Sequence, residues 1–247
     1  MSTERRMERL RPEQFRDLRK QAPLAWLPLG ILEWHAPQNP LGLDGVKAHA
    51  ICLKAAAEVG GVVFPTMYYG PPPTSTYLDV EHYDPFIPKT YDLPEENFTT
   101  DKFGFPSKAD QWDLFGRVLD SALRQIARYG FKAVVILSGH YPLQIHKIPT
   151  VLVERELGLK TWFGHEGMVA EPRDGDHAGQ WETSITWALE PDTVDPDKFP
   201  AKGEPNYPGV MGQPIADITP ELAQKNLDRA LKGLTAKGKE LLESVSP

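Results

Sequence analysis

Short continuous apolar runs alternate along most of the chain with stretches in which apolar residues recur every three or four positions. The runs predict strands over Leu24–Leu32, Gly61–Met67, Ala133–Leu137 and Lys160–Gly164. The run AVVIL is the clearest, because an unbroken β-branched and aliphatic stretch suits a strand covered on both faces. The spaced stretches predict helices over Val46–Glu58, Lys108–Tyr129, Gln144–Glu156, Gln180–Leu189 and Pro220–Ser244. In the second of these, Trp112, Phe115, Leu119, Leu123 and Ile126 mark one buried face, and Gly130 follows as a C-cap before AVVIL. Such alternation is the signature of an α/β fold with a mostly parallel sheet. No repeat or low-complexity linker divides it, so a single domain over residues 1–247 is expected.

Two segments break the pattern. Residues 69–106 are rich in proline, aromatics and acids without a period, as are residues 195–214. A long irregular stretch inside a compact domain is usually functional or an oligomer contact. Charge narrows the partners: 27 basic against 34 acidic residues give a net −7, which argues against nucleic acid, since phosphate binding needs clustered Lys and Arg. No apolar run approaches the length of about 18 residues that spans a bilayer. The first 20 residues alternate in charge and lack an apolar signal-like stretch, and the lone Cys52 cannot form an internal disulfide. A cytoplasmic protein is the economical expectation.

The chemistry collects where strands end, which is where open α/β sheets bind ligands. The stretch LPLGILEWHAPQNPLGLDG carries Glu33 and His35, two apart, so that both side chains project to one side while Trp34 faces the other. Asp44 then opens the next helix. His140 closes AVVILSGH, and DHAGQWETS offers His177 and Glu182 as it enters another helix. Two imidazoles and three carboxylates (His35, His140, Glu33, Asp44 and Glu182) suit Zn²⁺, Mn²⁺ or Fe²⁺. A bridging Asp with one His and one Glu per ion would build a pair about 3.5–4 Å apart. His177, if not a ligand, is suited to carry a proton to a leaving nitrogen.

These motifs resemble those of the creatininase (creatinine amidohydrolase) family. LPLGILEWHAPQNPLGLD is similar to its opening Glu-x-His, Pro-rich loop and Asp. ILSGHYPLQ is similar to its Asn-Gly-His segment, DHAGQWETS to its His-x-Gly-x-x-Glu-Thr-Ser segment, and GQPIADITPELAQKNLDRAL to its C-terminal region. All four occur in the family's order across nearly the whole chain. The resemblance implies a three-layer α/β/α fold and a metal-dependent amidohydrolase that cleaves a C–N bond of a cyclic amide, formamide or related small molecule with a metal-activated hydroxide. It also implies a homo-oligomer. Glu33, His35, Asp44 and His140 take ligand positions, Glu182 completes the shell, and His177 takes the proton-shuttling position. The chain departs from the family at Trp34, Ala36, Gln38, Asn39 and Ser138, and at Pro142, where creatininases carry a metal-binding Glu. These departures bear on the substrate and on whether one ion or two are held.

Several residues have plainer readings. Tyr141 is expected either to contact substrate or to be anchored through its hydroxyl. Trp34 and Trp181 read foremost as core, and His49 and His146 as structural. His165 stays open, and His82 sits in the irregular segment among acids. The rival to an enzyme is a non-catalytic descendant of the scaffold that binds a metal or a small molecule.

Overall fold

Alternate residues of the first strand are claimed by opposite helical layers. The computed structural model describes residues 4–71, 86–99 and 108–245. Strands β1 (Leu24–Leu29), β2 (Val62–Val63), β3 (Ala133–Ser138) and β4 (Lys160–Gly164) form one parallel sheet in the order β2-β1-β3-β4. Helices α1 (Pro12–Gln21), α2 (Leu43–Val59), α3 (Phe86–Thr90), α4 (Glu96–Thr99), α5 (Lys108–Arg128), α6 (Ile148–Leu157), α7 (Glu166–Val169), α8 (Gln180–Leu189) and α9 (Pro220–Val245) fill the connections. Ala25, Leu27 and Leu29 of β1 pack with Leu18 of α1, Leu119, Leu123 and Ile126 of α5, and Val153 of α6. Leu24 and Trp26 pack oppositely, against Ile51 and Ala55 of α2, Ile185 of α8, and Leu227 and Leu234 of α9. Period-two strands buried on both faces thus yield the three-layer α/β/α sandwich that the motifs implied.

Every predicted strand and helix is present, α3, α4 and α7 are short helices that the pattern did not predict, and two of the shifted boundaries have a local cause. The second predicted strand pairs only over Val62–Val63, because Pro65 has no N–H for the ladder, and the chain touches β1 again through an isolated Leu29–Met67 bridge. The helix expected from Gln144 begins at Ile148, after a 3₁₀ turn over Tyr141–Ile145. Pro149 sits in its first turn, where a missing N–H costs nothing. The first strand ends at Leu29 rather than Leu32, so Glu33, Trp34 and His35 lie in irregular chain beyond the sheet edge. His82 lies outside the described residues. No described helix is long and apolar enough to cross a membrane.

Candidate metal centre

The C-terminal ends of β1 and β3 are pressed against the start of α2, and this contact places Asp44. A Cβ on Gly139 would sit 2.0 Å from the Asp44 carbonyl oxygen, and one on Gly30 would sit 2.3 Å from the Gly45 nitrogen. Only glycine lets these backbones approach so closely. Gly139→Ala is therefore expected to displace Asp44, to cost about 1–3 kcal/mol of stability and to weaken metal uptake. Thermal melts with elemental analysis check both.

Beyond β1 the chain turns through Ala36, whose φ of 62° is strained for a residue with a Cβ and is tolerated only because neighbours hold it. Asn39 does part of that, donating to the His35 carbonyl at 2.9 Å and to Thr183 Oγ1 at 2.8 Å. Ala178, just after His177, has φ 55°. Both tight bends follow a histidine of the site.

All six residues singled out from the sequence come together. His140 Nδ1 lies 2.8 Å from Glu33 Oε1 and 3.5 Å from Asp44 Oδ2. His35 Nε2 lies 3.2 Å from Asp44 Oδ1 and 3.6 Å from Glu33 Oε1. Two residue sets could each hold an ion, Glu33–Asp44–His140 and His35–Asp44–Glu182, and Asp44 is common to both. A third set, Glu33–His35–His177, shares members with them. Trp34 turns the other way, as the two-residue spacing predicts. Its indole donates to the Pro208 carbonyl at 3.1 Å and packs on Tyr91.

The chemistry of this donor set fits divalent cations. Glu33, Asp44 and Glu182 are carboxylates no more than 4% exposed, and such a cluster needs compensating positive charge. His35 Nδ1 lies 3.2 Å from the Glu33 carbonyl. A carbonyl only accepts, so Nδ1 carries the proton and Nε2 turns to the carboxylates, the arrangement by which backbone groups orient metal-binding imidazoles. His35 Nε2 and Glu33 Oε2 are buried without an aligned hydrogen-bond partner. His177 obeys the same logic in reverse: Nε2 meets the Trp34 carbonyl at 3.1 Å, leaving Nδ1 as the basic nitrogen, 3.7 Å from Glu33 Oε1.

Without metal, protons supply the missing charge. Burial pulls His35 down, but Asp44, Glu33 and Glu182 outweigh it and lift the imidazole to about 9. His140 is lifted likewise to about 10 by Asp44 and Glu33. Burial and the nearby His35 charge push His177 the other way, below its usual value. A folded-state pKa above the unfolded one stabilises fully below about 6.5 and ceases to do so as pH rises through the raised values. Chelator-treated protein should therefore lose denaturant resistance between about pH 7 and pH 10, and zinc or manganese should abolish that decline, because ligated imidazoles no longer titrate. Denaturant midpoints across pH check this.

A cleft of about 170 Å³ opens onto the site, lined by His140, Tyr141, Pro142, Asp176, His177 and Met211 among others. Tyr141 forms part of its wall with its hydroxyl donated to Glu166 at 2.6 Å, so the ring and not the hydroxyl faces any ligand. His165 stacks on that ring at 3.8 Å between centroids. His49 meets Thr66 Oγ1 at 3.2 Å and His146 packs on Trp112, both away from the cleft.

Sequence reasoning missed three residues. Asp176 caps α8 by accepting from the Trp181 and Glu182 amides at 2.7 and 3.1 Å. Burial, with the Glu182 charge beside it, raises its carboxyl to about 8. Lys47 and Glu166 form a fully buried ion pair at 2.9 Å behind the site. One signal was available: Lys47 stands four residues from Leu43 and from Ile51 on the buried stripe of α2, where a solvated lysine has no place.

Comparison with known proteins agrees with this geometry. The family described as "Creatininase: Creatinine amidohydrolase" matches residues 8–99 and 109–246. A creatinine amidohydrolase of Pseudomonas putida is 25% identical over 238 residues, spanning 88% of this chain and 83% of that protein. Among solved structures, a creatinine amidohydrolase (creatininase) superposes with a TM-score of 0.70 at 20% identity, covering 96% of this chain and 97% of the other. A structure described as "Creatininase Mn" gives 0.71 at 18% identity, with 98% and 99% covered. A mutant creatininase of "Zn-Zn type" gives 0.70 at 19%, with 96% and 98% covered. With its family motifs gathered around one buried set of carboxylates and imidazoles at the sheet edge, this chain belongs to the creatininase family.

Proposed function

We propose that this protein is a metal-dependent amidohydrolase that cleaves a C–N bond other than a peptide bond in a small cyclic amide, formamide or related molecule. The observation that carries the reading is Asp44, a buried carboxylate common to two three-residue ligand sets. In this reading Glu33, Asp44 and His140 would hold one divalent ion and His35, Asp44 and Glu182 a second, with Asp44 common to both. Zinc and manganese are the first ions to try, because relatives of the same fold are described with them. A pair of divalent ions at such a site supplies a nucleophile from water at neutral pH and polarises a carbonyl oxygen.

The chain's own residues do the rest. The cleft bounds the substrate to a small molecule, with Tyr141 and Pro142 as one wall and Met211 among the other lining residues. His177, its Nε2 held by the Trp34 carbonyl, takes a proton from the attacking water at Nδ1 and returns it to the leaving nitrogen. Creatinine itself is one candidate among several, since Pro142 replaces a ligand of the creatininases and reshapes the wall beside His140.

The same reading takes residues 1–247 as one hydrolase domain in the cytoplasm. It assembles with further copies of itself, a view supported by Leu114 and Val118 of α5 and Ile148 and Val151 of α6, which are apolar and exposed. Light scattering tests the assembly. The decisive experiment is elemental analysis of protein purified without chelator or affinity-tag metal, followed by a screen of lactams, cyclic ureas and formamides. About two ions per chain and turnover of one of these classes is the expected result. A chain that takes up neither zinc nor manganese sinks the enzyme reading and leaves the non-catalytic scaffold.

A further inference from the structure

Lys47 is wholly buried, and its ammonium bonds two carboxylates at once: Glu166 at 2.9 Å and Glu182 at 2.5 Å. Its third neighbour is Tyr141, whose hydroxyl lies 3.4 Å away and whose ring centroid lies 4.7 Å from Nζ. Glu166 in turn accepts from Tyr141 at 2.6 Å and from the Trp181 indole at 3.2 Å. One buried charge pair therefore reaches both the proposed metal shell, through Glu182, and the cleft wall, through Tyr141. Glu182 has its other oxygen fixed by the Ala178 amide at 2.9 Å. With a donor on each oxygen, the carboxylate cannot rotate without breaking one of them.

We propose that Lys47, supported by Glu166, is a positioning residue that holds Glu182 in its ligand orientation and so sets the affinity of the second metal site, His35–Asp44–Glu182, while leaving the first untouched. The inference rests on the metal reading above. Two physical points carry it. A ligating carboxylate loses affinity when its own hydrogen-bond partner is removed, typically 10–100-fold. Of the residues in the two sets, Lys47 hydrogen-bonds Glu182 alone, and its charge also reaches Asp44, so a test of the hold on Glu182 has to keep the net charge of the cluster fixed.

Removing Lys47 alone would strand Glu166 as a buried, unpaired charge and endanger folding. The charge-neutral pair Lys47→Met/Glu166→Gln avoids this. It deletes one positive and one negative charge together, so the net charge of the buried cluster is kept while the hold on Glu182 is lost. The experiment titrates zinc, and separately manganese, into chelator-treated wild-type and double-variant protein by calorimetry. Elemental analysis after equilibration gives the stoichiometry, and thermal melts of both proteins report on folding. The expected result is two sites in the wild type, with the weaker one lowered about 10–100-fold in the variant and the tighter one unmoved. A merely structural role would shift both sites or neither. Two sites of unchanged affinity in the variant, or equal weakening of both, overturns the inference and leaves the metal reading standing. A wild type that binds no ion overturns that reading and the inference with it.

Discussion

Asp44→Asn is expected to abolish hydrolysis and to strip both ions at once. The substitution preserves size and removes the one charge common to both ligand sets. Loss of the metals forfeits several kcal/mol of transition-state stabilisation. At about 1.4 kcal/mol per tenfold, roughly 4 kcal/mol is close to a thousandfold in rate. A second consequence is visible without substrate. The Asp44 carboxyl sits well below the usual carboxylate range because His35 and His140 flank it, and it lifts them in return. In the metal-free variant both imidazoles should titrate nearer their ordinary value, which proton NMR reads directly. Glu182→Gln touches one set only and should retain one ion. If Asp44→Asn keeps two ions, Asp44 does not bridge, and the dinuclear arrangement is wrong.

His177→Ala is expected to lower kcat by about 10²–10⁴-fold, the range for a positioned general acid–base group, while metal content stays at the wild-type level. The pH profile carries more information than the rate. The imidazole must be neutral to accept the first proton; burial holds it below its usual value, and bound cations in place of the His35 charge would push it the same way. Wild-type kcat/KM should therefore fall on the acid side only below about pH 6.5, and the variant should lack that limb. His177 also belongs to a third possible ligand set with Glu33 and His35. Loss of an ion in His177→Ala, with the acid limb retained, would make it a ligand rather than a proton carrier.

The two predictions separate roles that proximity alone confuses. Asp44 is 1% exposed and at the centre of the cluster, whereas His177 lines the cleft and is held from behind by a backbone carbonyl. His35 and His177 commit opposite nitrogens to backbone carbonyls. His35 has Nδ1 occupied by the Glu33 carbonyl and offers Nε2; His177 has Nε2 occupied by the Trp34 carbonyl and offers Nδ1.

Much of this is legible in the amino-acid sequence itself. Strands covered on both faces read as unbroken apolar runs, and strand ends in such folds are where ligands bind, so Glu33, His35, Asp44, His140, His177 and Glu182 stood out by position as much as by type. The two-residue spacing of Glu33 and His35 also implies that Trp34 faces away from them, and it packs with Ala36, Tyr91 and Tyr207 in a small cluster apart from the two main cores. The irregular segment from residue 69 to 106 carried no period to read, and its largest aromatic and acidic stretch stays outside the described residues.

By itself the sequence determined the layered α/β architecture and the candidate ligands, because hydrophobic period and strand-end placement are local properties of the chain. The tertiary structure alone decided that Asp44 lies between two ligand sets, which depends on Gly30 and Gly139 letting separate strands close onto α2. It alone turned Tyr141 toward Glu166 and set Lys47 between Glu166 and Glu182, residues 119 and 135 positions away. Pairings across such separations come from the packing of whole layers, and no local pattern in a single chain encodes them.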